Sequence, residues 1–288
     1  MSSFAYCAPT SVGEAVALLD ARPDAMPMAG GTDLLVQMRS GRIAPATIVD
    51  LKRIERASGI RPYEGGFVIG AVTPCSVLKR DEALSRVWPG VVEAANLIGS
   101  VQVRNRATIA GNLCNASPAA DSVPALIAAD ARCIIVGPAG EREIAVADIP
   151  AGPGRTVLSK GEFILEIILP ARPKGSGDAY LRSIPRTEMD IAVAGVGISL
   201  VCDAGVCTQA RVALGAVAPT ALLVAEAGAA LIGTGMEPGA VDRMEAAVRA
   251  ACQPISDKRS TAEYRTAMAA RLARRTLAIA YARARKSA

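Results

Sequence analysis

The chain of 288 residues contains no histidine. That absence removes a Ser-His-Asp triad, a Cys-His dyad and His-ligated zinc or haem. Aromatic residues make up 3% of the sequence, so there are few platforms on which single-stranded bases could stack. The net charge is +5, without the clustering that marks a nucleic-acid surface. Seven cysteines, Cys7, Cys75, Cys114, Cys133, Cys202, Cys207 and Cys252, form no CxxC pair. The nearest two are Cys202 and Cys207, and so dispersed a set predicts buried thiols rather than disulfides or an iron–sulfur site. No apolar run is long enough to span a bilayer. The segment Met1 to Tyr6 lacks the basic and apolar regions of a signal peptide, so the expected location is the cytoplasm. An enzyme without these groups leaves its hard chemistry to a cofactor.

What is present points the same way. With 51% hydrophobic and 20% charged residues, the chain can bury one large core or two to three smaller ones. Two glycine-centred segments lie about 75 residues apart. The first is Met28-Ala29-Gly30-Gly31-Thr32-Asp33-Leu34. Met26 to Ala29 has the length of a buried strand, and Gly30 and Gly31 permit angles and close approaches that a Cβ blocks. Thr32 and Asp33 can cap the helix Leu34 to Arg39, with Gly41 just past its end. Free N–H groups at such a start favour a phosphate; an ordinary strand–turn–helix connection reads the same. It is neither a GxGxxG nor a GxxxxGK[ST] motif.

The second segment is Ala107-Thr108-Ile109-Ala110-Gly111-Asn112, running on to Cys114, Asn115, Ser117-Pro118 and Asp121. It follows a predicted helix from Val91 to Ile98. Its short polar side chains, set among small residues, can bond a pyrophosphate or a polyhydroxylated chain without crowding it. Asp121 has a second reading as the start of a helix from Val123 to Ala129. Cys114 reads as a small packed residue.

Three lobes are expected. Residues 1–56 read as α/β, with helices Val12 to Leu19 and Leu34 to Arg39 and strands near Met26 to Ala29 and Thr47 to Leu51. Residues 57–170 hold strands Phe67 to Ala71, Cys133 to Val136 and Phe163 to Leu169, with helices flanking the second segment. Pro170, Pro173 and Gly175-Ser176-Gly177 read as a linker. Residues 171–288 open with strands Ile191 to Val201 and Val206 to Val217, joined by the turn Cys202-Asp203-Ala204-Gly205. Helices near Ala221 to Leu231, Val241 to Ala251 and Ala262 to Arg285 follow. The last carries Arg265, Arg271, Arg274, Arg275, Arg283 and Arg285, read as a solvated or subunit-facing rim.

Together the two segments resemble the flavin-binding subunit of the molybdenum hydroxylases, the family of xanthine dehydrogenase and carbon monoxide dehydrogenase. Its members carry an AGGxxL-type segment and, about 75 residues later, a T-[IL]-G-G-N-type segment; Gln102-Val103-Arg104-Asn105 matches the approach to the latter. The resemblance spans essentially the whole chain. It departs at Ala110, which replaces the usual first glycine of the second loop and is tolerable if that residue keeps a negative φ.

The resemblance implies an α+β fold: a two-lobed, PCMH-like FAD-binding domain followed by a C-terminal antiparallel sheet with a helical bundle. FAD would lie between the first two lobes. Ala29, Gly30, Gly31, Thr32, Asp33 and Leu34 would contact its pyrophosphate and adenosine side. Thr108, Ala110, Gly111, Asn112, Asn115 and Asp121 would contact the pyrophosphate and ribityl chain. Ile164 (or Leu165) would lie near the ring system. Arg182 sits where relatives place a cation that stabilises reduced flavin; its other reading is a surface ion pair with Glu188 or Asp190. The implied function is electron transfer, with no catalytic residue and no metal ligand of its own. A large partner subunit would hold the molybdopterin cofactor and a small one [2Fe-2S] clusters, as a heterotrimer or dimer of heterotrimers. Two alternatives remain: a self-sufficient flavin oxidoreductase, which would turn over alone, and a structural subunit without cofactor, which would stay colourless with FAD.

Overall fold

A computed structural model describes residues 3–287. Its first layer is a parallel sheet of β1 (Ala5–Cys7), β2 (Ala25–Met28) and β3 (Thr47–Asp50) in the order β1-β3-β2. All four residues of β3 are buried, as expected of a central parallel strand covered on both faces. Helix α1 (Val12–Ala21) starts at Ser11, whose hydroxyl accepts from Glu14 N–H, while Glu14 accepts from Thr10 N–H; this is close to a reciprocal capping box. Helix α2 (Leu34–Arg39) follows β2 through the first glycine segment.

The second lobe is built on a five-stranded antiparallel sheet. It comprises β4 (Ile60–Tyr63), β5 (Gly66–Gly70), β6 (Arg132–Gly137), β7 (Gly140–Ala145) and, after the small hairpin β8 (Pro150–Gly152) and β9 (Arg155–Thr156), β10 (Phe163–Leu169). The order is β4-β5-β10-β6-β7. Between β5 and β6 run α3 (Cys75–Arg80), α4 (Glu82–Val87), α5 (Pro89–Ala95), α6 (Val101–Arg104), α7 (Ile109–Cys114) and α8 (Ser122–Ala128). A bulge between Ile164 and Glu166 shifts the pleat of β10. Phe163 and Leu165 therefore join the core with α1 and β3, while Ile164 and Ile167 join the core with the helices.

The third lobe is an antiparallel sheet of β11 (Ser176–Ser183), β12 (Ala194–Asp203), β13 (Val206–Gly215) and β14 (Leu222–Leu223). Helices α9 (Ala225–Ala229), α10 (Pro238–Ala251) and α11 (Ala262–Lys286) bury its apolar face through Val196, Ile198, Val212, Met244, Leu272 and Leu277. Its other face meets α8. Glycine makes that approach possible, because a Cβ on Gly197 would lie 2.6 Å from the Pro124 carbonyl oxygen. Ala204 and Gly205, both at positive φ, form the β12–β13 turn, matching the strand twist. The molecule is α+β, as the resemblance implied.

Several boundaries differ from the sequence expectation. Ser176 and Gly177 are not linker but the start of β11, a strand hidden by the buried polar residues on one of its faces. The strand expected from Ile191 begins at Ala194, since Met189 takes a positive φ and Ile191 is exposed. The helix expected from Ala221 begins at Ala225, because Leu222 and Leu223 pair with β13. The helix expected at Val91 to Ile98 runs instead from Pro89 to Ala95. Arg265 leaves the expected rim: it is 4% exposed and donates to the carbonyls of Val193 and Ala216 and to Asp257. Arg274 keeps to the rim, paired with Asp242 and Glu245. Among the described residues no helix is long and apolar enough to cross a membrane.

Candidate functional site

The two glycine segments are in contact. An added Cβ on Gly30 would lie 2.0 Å from the carbonyl oxygen of Arg106 and 3.1 Å from Ala107 Cα. Only glycine lets the first segment lie on the backbone that leads into Thr108. Gly31, at φ +74°, then turns the chain into α2. From α2, Gln37 Nε2 donates to Asn115 Oδ1 at 3.0 Å, a second tie between the segments. Lys52 Nζ reaches the Ala29 carbonyl at 3.2 Å while paired with Asp50 at 2.7 Å. Thr32 and Leu34 are half-buried beside the turn. Asp33 occupies the cap position of α2, but its side chain makes no cap bond, contrary to expectation, because its backbone is already helical there.

In the second segment Thr108 caps α7, its Oγ1 accepting from Gly111 N–H at 2.9 Å. Ala110 lies inside α7, 3% exposed and without positive φ; its methyl packs into the core and the backbone needs no glycine. Asn112 Oδ1 accepts from both the N–H and the hydroxyl of Ser122, at 3.2 and 2.7 Å. Those bonds engage the amide oxygen, so the NH2 group is the donor that remains. Cys114 is exposed rather than packed, unlike the buried Cys75, Cys133, Cys202 and Cys207.

Asp121 begins α8 without capping it. Its two oxygens turn to β11: Oδ1 accepts from Tyr180 OH at 3.0 Å and Oδ2 from Arg182 Nη1 at 2.5 Å. The pair is buried, with side-chain exposures of 10% and 5%. Burial pushes the Asp121 carboxyl up to about 6, and Arg182 and the Tyr180 hydroxyl pull in the opposite direction. The partner of Arg182 is therefore Asp121; Asp190 pairs with Arg186 instead. Arg182 Nε is buried and has no hydrogen-bond partner.

Of the expected residues, Ala29 to Leu34, Thr108 to Asn112, Asn115, Asp121 and Arg182 gather around these ties. Ile164 does not: its side chain is 3% exposed in the core of the second lobe. Leu165 is likewise buried, against the first lobe. Gln37, Lys52, Ser122 and Tyr180 join the site without a sequence motif to mark them. The one local trace of Tyr180 is the alternation of Asp178, Tyr180 and Arg182 with small or apolar residues, and its polar phase hides the strand when hydrophobic periodicity is the signal. A hollow of about 420 Å³, lined by Ser183, Val193, Arg259 and Tyr264 among others, opens at the end of β11. A hollow of about 680 Å³ near Ser11, Arg56 and Arg61 lies away from the glycine segments.

The two glycine segments, on neighbouring lobes, are joined by backbone contact and lead to a buried Asp–Arg pair. Residues 2–172 match the model of the FAD binding domain in molybdopterin dehydrogenase. Residues 179–280 match that of the CO dehydrogenase flavoprotein C-terminal domain. The chain belongs to this family of molybdopterin dehydrogenase flavin subunits. It is 37% identical to the carbon monoxide dehydrogenase medium chain of Hydrogenophaga pseudoflava, over 97% of this chain and 98% of that one. It is 33% identical to a xanthine dehydrogenase FAD-binding subunit of Escherichia coli O157:H7, over 75% and 74%. In the crystal structure of the cyanide-inactivated Cu,Mo-CO dehydrogenase, a chain 36% identical superposes with a TM-score of 0.94, covering 98% of this chain and 99% of that one. A chain of quinoline 2-oxidoreductase from Pseudomonas putida, 26% identical, superposes at 0.91, with 98% of each covered.

Proposed function

We propose that this chain is the FAD-binding electron-transfer subunit of a multi-subunit molybdenum hydroxylase, an oxidoreductase whose organic substrate is oxidised on a partner. The observation that carries the reading is the approach of Gly30 to the Arg106 carbonyl. It joins the two segments with no room for a side chain between them. FAD, when bound, supplies the ability to take up electrons one at a time and release them in pairs. The rest is the work of this chain. Ala29, Gly30, Gly31, Thr32, Asp33 and Leu34 on one side, and Thr108, Ala110, Gly111, Asn112 and Asn115 on the other, would hold the pyrophosphate and its sugars. The Asn112 amide, oriented by Ser122, would donate to an anionic oxygen. Arg182, fixed by Asp121, would set the local charge, while Ile164 stays in the core behind the site. In this reading the FAD domain occupies residues 1–170 in two lobes parted near 56, and residues 171–288 brace it.

Electrons would come from the [2Fe-2S] clusters of a small partner subunit, after oxidation at the molybdopterin cofactor of a large one. A heterotrimer, or a dimer of heterotrimers, in the cytoplasm is the assembly we infer. To test this, purified chain is titrated with FAD while its visible absorption and fluorescence are followed. Stoichiometric uptake, with no turnover of organic substrates until the partner subunits are added, is the expected result. A chain that stays colourless with FAD, or that oxidises substrate alone, would refute the proposal.

A further inference from the structure

On β11, Asp178, Tyr180 and Arg182 face the second lobe together. Asp178 accepts from Gly90 N–H at 2.8 Å and from Arg172 at 2.7 Å, which locks one end of the strand to α5. Tyr180 and Arg182 both end on Asp121. Tyr180 is 2% exposed, and its hydroxyl occupies space that a Cβ on Gly195 would need, at 2.6 Å. Asp121 is joined through Ser122 to Asn112, inside the second glycine segment. The first residues of α8 thus tie two ways, Ser122 to the second glycine segment and its chain neighbour Asp121 to the third lobe. The latter tie ends on a guanidinium whose Nε is buried and unpartnered. A buried donor without a partner is costly unless something accepts from it.

We infer that Asp121 and Tyr180 are positioning residues for Arg182, and that the protonation of this buried triad is coupled to occupancy of the cradle by an anionic dinucleotide. The inference rests on the FAD reading and goes beyond it by assigning Tyr180 a role and Asp121 an indirect one. Both Asp121 oxygens are engaged by β11, so the carboxylate acts through Arg182. Around Asp121, β11 presents Arg182 and Tyr180. Of the other elements packed against α8, α5 carries Glu93, paired with Arg283, β13 carries Arg211, paired with Asp130 at the far end of α8, and α7 carries Cys114; none of these bonds Asp121. Arg182 is thus the only cation in direct contact with the carboxylate among the described residues.

The sign of the coupling follows from charge. The ionised triad is neutral overall, and protonating Asp121 makes it +1. A bound pyrophosphate is anionic and disfavours a nearby carboxylate, so it favours the protonated form. Protonation also releases Arg182 to donate to the ligand. Both effects act in one direction, and by linkage FAD binds more tightly on the acid side of the Asp121 transition.

The experiment measures the FAD dissociation constant of the full chain by fluorescence quenching from pH 5 to 8. In parallel, carboxyl-carbon NMR follows Asp121 without FAD. The chain is expected to bind FAD about fivefold more tightly below the transition near pH 6 than above it. Asp121→Asn should be flat with pH, near the acid-side affinity. Tyr180→Phe removes one bond to the carboxylate and should move the transition up by about one pH unit. A merely structural tyrosine would lower stability and leave the transition in place. A flat profile in the unaltered chain, a transition retained in Asp121→Asn, or one unmoved in a folded Tyr180→Phe overturns the inference. Absence of FAD binding at every pH, with the NMR transition intact, instead overturns the FAD reading and takes the coupling with it.

Discussion

The two glycine segments meet at one place but are held there by different physics. The first is held by shape. Gly30 lies against the Arg106 backbone, Gly31 takes a left-handed turn, and Asp33 caps nothing. The second is held by bonds: Thr108 to Gly111, Asn112 to Ser122, and Asp121 to Tyr180 and Arg182. A shape-held turn tolerates loss of a polar group and fails on gain of volume. A bond-held turn does the reverse. That contrast also accounts for Ala110. The methyl of Ala110 is buried inside α7, where the backbone takes no positive φ and needs no glycine.

The largest effect should come from adding one methyl to the shape-held side. In Gly30→Ala the new Cβ meets a backbone oxygen at 2.0 Å, with no flexible side chain to give way. The segments must part, at a cost of about 3 kcal/mol, and FAD uptake should be lost with them. Thermal unfolding and FAD titration of the variant check this. Unaltered values for both would mean that the contact does not define the cradle. Gly111→Ala on the bond-held side, where a Cβ would meet the Thr108 hydroxyl at 3.0 Å, should be far milder.

Much of this site is legible in the sequence, because glycine pairs and short polar residues carry their reasons locally. Gly30, Gly31, Thr108 and Gly111 are visible for what their own backbones must do. What the sequence hides is each partner across the fold. Nothing local says that the oxygen facing Gly30 belongs to Arg106, or that Arg182 chooses Asp121 over the nearer Asp190. The strand β11 escaped because its inward face is Asp178, Tyr180 and Arg182. Buried polar alternation reads as loop when hydrophobic periodicity is the signal. Arg265 escaped for the same reason: its burial depends on the carbonyls of Val193 and Ala216, which only the fold brings together.

A smaller effect should separate scaffold from ligand on the bond-held side. Asn112→Ala leaves the Ser122 N–H and hydroxyl without their acceptor, costing about 1–3 kcal/mol. Asn112→Asp keeps an acceptor for Ser122 but replaces the remaining amide donor with a charged oxygen. It should retain most of the stability and still bind FAD more weakly, since it sets a negative charge against the pyrophosphate. Paired chemical unfolding and FAD titrations distinguish the two variants. Equal FAD affinity in Asn112→Asp and the unaltered chain would mean that the amide faces no phosphate.

The smallest effect tests whether the two modes are linked. Gln37 on the shape-held side donates to Asn115 on the bond-held side through one neutral, partly buried hydrogen bond. Such a bond contributes about 1 kcal/mol, and here water can replace either partner. Gln37→Ala and Asn115→Ala should each lower stability by no more than about that amount. Their double variant should show a coupling of about 0.5 kcal/mol. The coupling should vanish when either is combined with Gly30→Ala, because parting the backbones separates the two side chains. A coupling that survives Gly30→Ala would show that the segments stay together without their backbone contact. The glycine would then shape the pyrophosphate site rather than assemble the cradle, and the contrast between shape-held and bond-held turns would have to be redrawn.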